Sequence, residues 1–266
     1  MNKKVMNGTV RSNREIAAGV FRMEIDWPLR AEEVRAGQFV NVYPKSKETL
    51  LPRPISICGA EDGRLTLVYG VVGKGTAEFS TYAAGDDARI SSPLGNGYDL
   101  SMFAADGQLP ATKTALLIGG GIGVPPMLEL AKRLCARRVR VQAVLGFRCK
   151  PFLAEEFKAL GAEIFLATDD GSAGHKGTVL DVIREEHLQA DIWFACGPKR
   201  MLRAVADCGI AQRRDVQLSL EERMGCGYGA CVGCVCTVRT GDGTLVKRKV
   251  CKDGPVFRGT EVVWDE

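Results

Sequence analysis

Four cysteines constrain this chain more than any other feature: Cys226-x4-Cys231-x2-Cys234, then Cys251 after sixteen intervening residues. At this spacing four thiolates can hold the two irons of a [2Fe–2S] cluster. The first three lie in Met224–Cys234, where glycine stands at positions 225, 227, 229 and 233. Glycine lets the backbone turn through positive φ and approach closely, so that amide N–H groups can point at sulfur. Cys231-x2-Cys234 also suits one half of a zinc ribbon, and disulfides are a third reading.

A length of 266 residues predicts two domains with a small third. The net charge of +4 is too slight for a nucleic-acid binder, and no basic stripe carries interleaved aromatics. The N-terminus lacks the apolar core of a signal peptide, and no apolar run nears the roughly 20 residues of a membrane span. Ten cysteines without a secretion signal point to a reducing, cytoplasmic setting in which thiols stay free or bind metal.

Up to about residue 100 the chain reads as short strands punctuated by Gly and Pro. Phe21, Met23 and Ile25 alternate with charged residues, and further runs are Gly37–Tyr43, Ile55–Cys58 and Leu65–Tyr69. This suits a small antiparallel β-barrel, with a first helix at Ala77–Tyr82. After Pro110 the period changes. Thr114–Ile118 reads as a buried strand, followed by a glycine turn and a helix opened by Pro125-Pro126. Strand-like runs recur at Val139–Leu145, Glu163–Ala167, Asp191–Ala195 and Asp215–Leu220, with helical patterns at Thr178–Leu188 and Lys199–Cys208. That alternation predicts a Rossmann-like parallel α/β domain. The expected division is 1–102 (barrel), 103–218 (nucleotide domain) and 219–266 (cluster segment).

Several turns fall where such folds bind ligands. Gly119-Gly120-Gly121-Ile122-Gly123 joins strand to helix, so its N–H groups and the positive helix end can face a pyrophosphate. Val124 stands where the third glycine of G-x-G-x-x-G would be, and a ligand-free tight turn is the alternative. Arg53-Pro54-Ile55-Ser56 offers a rigidly held guanidinium and a hydroxyl. Gly73-Lys74-Gly75-Thr76 is a second glycine turn. Thr168–Ser172 and Ala195-Cys196-Gly197-Pro198 end strands at the carboxyl edge of the expected sheet.

Together these segments resemble the ferredoxin reductase superfamily. Arg53–Ser56 is similar to its flavin motif, Gly119–Pro126 and Cys196–Pro198 to its nicotinamide-nucleotide motifs, and Thr168–Ser172 to its adenine-side turn. Within it, Leu94–Tyr98, Glu221–Gly227 and Val250–Phe257 resemble the electron-transfer subunits of NAD-dependent (B-type) dihydroorotate dehydrogenases, in the same order over essentially the whole chain. The resemblance implies a barrel binding FAD, a nucleotide domain binding NAD and a C-terminal [2Fe–2S] segment. Arg53 would contact the FAD pyrophosphate, with Pro54 and Ile55 beside it and Ser56 near the reactive flavin nitrogen. Val68, Tyr69, Gly70, Gly75 and Thr76 would complete the cradle. Gly119, Gly120, Gly121, Ile122, Gly123, Asp170, Gly197 and Pro198 would serve NAD, with Cys196 near the nicotinamide. Cys226, Cys231, Cys234 and Cys251 would ligate iron.

The implied role is a redox relay in pyrimidine (UMP) biosynthesis. An FMN-containing catalytic subunit, in a heterotetramer of two and two, would oxidise dihydroorotate, and this chain would pass the electrons to NAD+. The alternatives are a subunit of a related ferredoxin:NAD(P)+ oxidoreductase and a zinc-stapled, nucleotide-binding regulatory module. NAD over NADP rests on the resemblance; Arg148 and Lys150 suit either a 2′-phosphate or plain surface. His175 and His187 stand in no catalytic arrangement, so no acid–base constellation is expected. Cys58, Cys135, Cys149 and Cys208 read as packing or surface residues. Cys236 falls on the same strand side as Cys234, as neighbour or ligand. Lys247-Arg248-Lys249 reads as a solvated face or a docking patch, and Trp264 as packing or an interface anchor.

Overall fold

The structure, a computed structural model, describes residues 4–103 and 113–264; the change of period expected after Pro110 begins outside them. The first strands are β1 (Val5–Ala17), β2 (Val20–Asp26), β3 (Phe39–Tyr43), β4 (Arg53–Glu61) and β5 (Arg64–Gly70). Helix α1 (Lys74–Ser80) and strand β6 (Asp87–Ser91) follow. They close a barrel in the order β1-β2-β5-β4-β3-β6, with antiparallel pairing throughout. Inward residues Met23, Ile25, Val40, Val42, Ile57, Leu65, Leu67 and Ile90 form its core, the side-chain period of two placing one face of each strand inside. Helix α1 begins three residues before the expected Ala77, because Thr76 Oγ1 accepts the N–H groups of Val72 (2.9 Å) and Gly73 (3.2 Å).

The second layer system comprises β7 (Thr114–Gly120), α2 (Val124–Cys135), β8 (Arg140–Phe147), α3 (Ala154–Ala159) and β9 (Glu163–Thr168). It continues with β10 (His175–Lys176), α4 (Val179–Glu185), β11 (Ile192–Cys196), α5 (Lys199–Ala211) and β12 (Asp215–Ser219). Pro125 and Pro126 stand in the first turn of α2, where a missing N–H breaks no helical bond. Helix α2 packs with Leu117, Leu145 and Phe194 on one face, and α4 and α5 with Ile118, Val144 and Trp193 on the other. A strand buried on both faces reads as a continuous apolar run, which is why this sheet was legible.

The rest of the chain forms β13 (Val235–Arg239), β14 (Leu245–Lys249), α6 (Val250–Asp253), β15 (Val256–Arg258) and β16 (Val262–Val263). Strands β14-β13-β16 make a small sheet, while β15 leaves it and pairs antiparallel with β12, completing the order β10-β9-β8-β7-β11-β12-β15. The cluster segment is thus hydrogen-bonded into the nucleotide sheet.

Barrel and sheet are locked by a buried carboxylate. Glu129 of α2 is 1% exposed and accepts from Ala60 N of β4 (3.2 Å) and from Arg133 Nε (2.6 Å), and Arg133 Nη2 donates to Ala31 O (2.8 Å). No described helix is long and apolar enough to cross a membrane.

Candidate redox-cofactor sites

The glycine-rich loop folds Cys226 and Cys231 against each other: Cys231 N–H points at Cys226 Sγ, 3.4 Å away. Across from them Cys251 N–H points at Cys234 Sγ at 3.5 Å, and Val250 N donates to Cys234 O at 2.8 Å. A Cβ at Gly225 would already touch Cys231 Sγ at 3.5 Å, and one at Gly229, whose φ is +90°, would strike Lys252 Cδ at 2.7 Å. At Gly225 that is ordinary contact, whereas Gly229 takes a backbone turn and a packing against Lys252 that a side chain would strain. Cys234 and Cys251 are buried, while Cys226 and Cys231 are half-buried.

Electrostatics differ between the pairs. Burial pushes the Cys226 thiol up, but the N–H groups of Cys231, Tyr228 and Ala230 outweigh it and bring the thiol down to about 6. Burial, then the neighbouring Cys234 sulfur, pushes Cys251 up to about 12. Backbone donors aimed at sulfur are what a thiolate ligand needs. The thiols come as two pairs, which fits two irons taking two thiolates each. Among the described residues no three Cys, His, Asp or Glu side chains gather as the cage of one ion. Cys236 turns another way. It lines a cavity of about 130 Å³ with Leu220, Glu222, Pro198 and Trp264, and burial, then Glu222, raises its thiol to about 11.

On the barrel, Arg53 Nη1 donates to Leu51 O (2.6 Å), and the guanidinium lies so close over Gly75 that a Cβ there would meet Nε at 2.7 Å. Twenty-two positions apart in sequence, Arg53 and Gly75 form one edge. Three residues before each of these, Leu50 and Val72 are 88% and 90% exposed, an unusual state for large apolar side chains. A guanidinium for phosphate and an apolar rim for a planar ring fit an FAD-type ligand. The Tyr69 side chain is placed elsewhere. It is buried in the barrel core, bonds Asn13 Oδ1 (3.1 Å) and is pushed up to about 12 by burial, so that residue offers a ligand only its backbone.

In the sheet the strand order reverses between β7 and β11, the place where ligands bind in open α/β sheets. Gly119 and Cys196 are register partners across that point. The turns that follow are in contact: a Cβ on Gly123 would lie 2.2 Å from Cys196 O, and one on Gly197 would lie 3.1 Å from Gly120 N. Burial raises the Cys196 thiol to about 12 against the opposing bond of Ser219, so this thiol is neutral at pH 7. Asp170 follows β9, two strands from β7. It accepts from Ser172 N at 2.9 Å, and Ser172 holds its carboxyl below the usual range. Asp170 N faces Arg148 O at 3.4 Å, while the side chains of Arg148 and Lys150 are exposed.

Two arrangements were not foreseen from the residues. Asn96 clamps the C-terminal segment: its N donates to Gly254 O (2.7 Å), Nδ2 to Val256 O (2.9 Å), and Oδ1 accepts from Val256 N (3.1 Å). That gives Leu94–Tyr98 a physical role. Arg258 of β15 pairs with both Asp99 (3.0 Å) and Asp215. His175 meets Glu185 at 3.0 Å on the nucleotide domain, outside both turns of the crevice.

Residues 221–263 match the family described as the iron-sulfur cluster binding domain of dihydroorotate dehydrogenase B. Over 260 residues the chain is 49% identical to the dihydroorotate dehydrogenase B (NAD(+)) electron transfer subunit of Geobacillus kaustophilus, covering 96% of this chain and 97% of that one. The subunit of the same name from Caldanaerobacter subterraneus is 40% identical over 259 residues, covering 97% and 98%. Among solved structures, an NADH-dependent reduced ferredoxin-NADP oxidoreductase matches at a TM-score of 0.80 and 31% identity, over 97% of this chain and 90% of that one. A flavohemoglobin from Malassezia yamatoensis shares the fold at a TM-score of 0.66 and 19% identity, over 79% and 57%.

Proposed function

Because this chain belongs to the family of dihydroorotate dehydrogenase B (NAD(+)) electron transfer subunits, we propose that its cysteine loop, barrel edge and sheet crevice are three stations of one relay. The chain is an oxidoreductase component that uses [2Fe–2S], FAD and NAD and works with a catalytic partner subunit. In our reading that partner carries FMN, takes two electrons and two protons from dihydroorotate to give orotate, and assembles as two catalytic with two electron-transfer subunits in the cytoplasm. NAD+ leaves as NADH and one proton is released. When bound, the cluster carries single electrons, flavin handles one or two, and nicotinamide takes a hydride.

The residues divide the work. Cys226, Cys231, Cys234 and Cys251 hold the irons, with the N–H groups of Cys231 and Cys251 stabilising charge on sulfur. Arg53, Pro54, Ile55 and Ser56, with Gly70, Gly75, Thr76 and the backbone of Val68 and Tyr69, cradle FAD. Gly119, Gly120, Gly121, Ile122 and Gly123 receive the NAD pyrophosphate, Asp170 lies toward the adenine side, and Gly197 and Pro198 close on the nicotinamide. The neutral Cys196 thiol there moves no proton at pH 7 and serves as a wall. The working division is 1–102 for FAD, 103–218 for NAD and 219–266 for the cluster.

The paired thiols under backbone donors carry this reading. Its test is dihydroorotate-dependent NAD+ reduction by the complex captured on the tagged chain. NADH formed only with dihydroorotate supports it. A coloured, dye-reducing complex that makes no NADH from dihydroorotate would refute the partner assignment and favour the ferredoxin-linked alternative, to whose solved example the chain is 31% identical.

A further inference from the structure

Strand β3 reads Phe39-Val40-Asn41-Val42-Tyr43, an apolar run interrupted by one amide. Asn41 is 0% exposed, and a buried amide costs about 1–3 kcal/mol wherever its hydrogen bonds are not replaced. Its backbone N donates to Ser91 Oγ at 2.9 Å, which ties the strand to β6. Its side-chain Nδ2 donates to Cys226 O at 2.8 Å, bridging 185 positions of sequence. Oδ1 has no partner among the described residues. A valine would serve the barrel better at this position; only a donor can hold the Cys226 carbonyl.

The loop is shaped around this side chain. A Cβ on Gly227 would lie 2.4 Å from Asn41 Nδ2 and 2.6 Å from Oδ1, and Gly227 sits at φ +75°. On its other side Asn41 is the register partner of Pro54, and Val42 and Phe39 are those of Arg53 and Ser56. One residue therefore touches the loop of the cluster cysteines and is laddered to the strand assigned to flavin.

Building on the relay reading above, we propose that Asn41 is the positioning residue that seats the cysteine loop on the flavin strand and thereby sets one-electron exchange between the two sites. Residues that orient ligands from outside the coordination shell are worth about 10–100-fold in activity. In the holo-complex, Asn41→Ala is expected to keep its flavin, iron and acid-labile sulfide. NADH should reduce the flavin of the variant at the wild-type rate. Bleaching of the cluster by NADH should then slow about ten-fold or more, and the cluster's midpoint potential and EPR g-values should move.

Ser91→Ala removes the other bond of the same strand without touching the loop, and should leave all three readouts unchanged. If Asn41→Ala does not retain its cofactors, Asn41→Val, which suits the apolar strand and carries no donor for the Cys226 carbonyl, is read by the same measurements. A wild-type potential and bleaching rate in the variant that retains its cofactors would overturn the proposal, as would an equal shift in Ser91→Ala. Failure of the relay reading is separate: the wild-type complex would then show no [2Fe–2S] EPR signal on reduction.

Discussion

Gly123→Ala tests the crevice most directly. A Cβ at this position would stand 2.2 Å from Cys196 O, 2.4 Å from its carbonyl carbon and 2.6 Å from Gly197 N. All three are backbone atoms of the opposing turn, so no side chain can swing away. A carbon and a carbonyl oxygen come no closer than about 3.3 Å in favourable contacts, so the two turns must part by about 1 Å. A misplacement of that size costs on the order of 100-fold in a reaction that depends on alignment. The assay is steady-state NADH oxidation with an artificial dye, with flavin and iron content measured on the same sample. Dye reduction should fall by about that factor while both cofactors stay bound. Gly161→Ala, outside the crevice, is the comparison: nothing lies within 4 Å of its Cβ, so it meets only the strain of φ +82°, about 1–2 kcal/mol. A Gly123→Ala protein within two-fold of wild type would refute the claim that these turns clasp a ligand between them.

Other consequences can be checked in parallel. Cys231→Ser should abolish cluster absorbance and dihydroorotate-linked NADH formation, leaving flavin content intact by absorption spectroscopy. Glu129→Ala removes the acceptor of the buried Ala60 N–H across the barrel–sheet junction and the carboxylate of Arg133 on the same helix; a buried donor left unpaired costs about 1–3 kcal/mol, so calorimetry should show the transition lowered by about 5 °C. Asn96→Ala frees the Val256 N–H and C=O and should quicken amide exchange across β15 while leaving the barrel protected. Burial raises the Cys58 thiol from 9.0 to about 12. Above pH 9 the unfolded chain has therefore released a proton that the folded one keeps, so stability falls as pH rises from 9 toward 12. That decline in melting temperature should be shallower in Cys58→Ala.

The legible parts of the fold are those whose burial is one-dimensional. Leu116, Leu117 and Ile118 are covered on both faces, so β7 announces itself as a run, and Phe21–Ile25 alternates because one face of β2 is wet. Strand β1 is the converse: within Val5–Ala17 only Gly8 and Val10 are buried, and no apolar stripe marks it. The three residues of β15 carry no signal of their own, since their partner strand lies 39 positions back. At the candidate sites, segments that are short and local, the cysteine loop and the turns at 119–123 and 196–198, stand out in the sequence by composition alone. What escaped were contacts between segments far apart in sequence. Arg53 over Gly75, Asn96 on Gly254 and Asn41 on Cys226 exist only once the chain closes on itself. The lone sign of the last was an amide inside an apolar strand.

Strand β15 also decides what kind of kinetics this protein can have. An iron–sulfur carrier that diffuses to its reductase meets it at a rate set by concentration and screened by salt. Here the carrier is stitched into the reductase's own sheet by Val256–Arg258 and pinned by Arg258 to Asp99 and Asp215. Encounter becomes a fixed property of a single molecule, at an effective concentration no cytosol could supply. Dilution and ionic strength are left with two bimolecular events to act upon: docking of the partner subunit on one side, arrival of the nucleotide on the other.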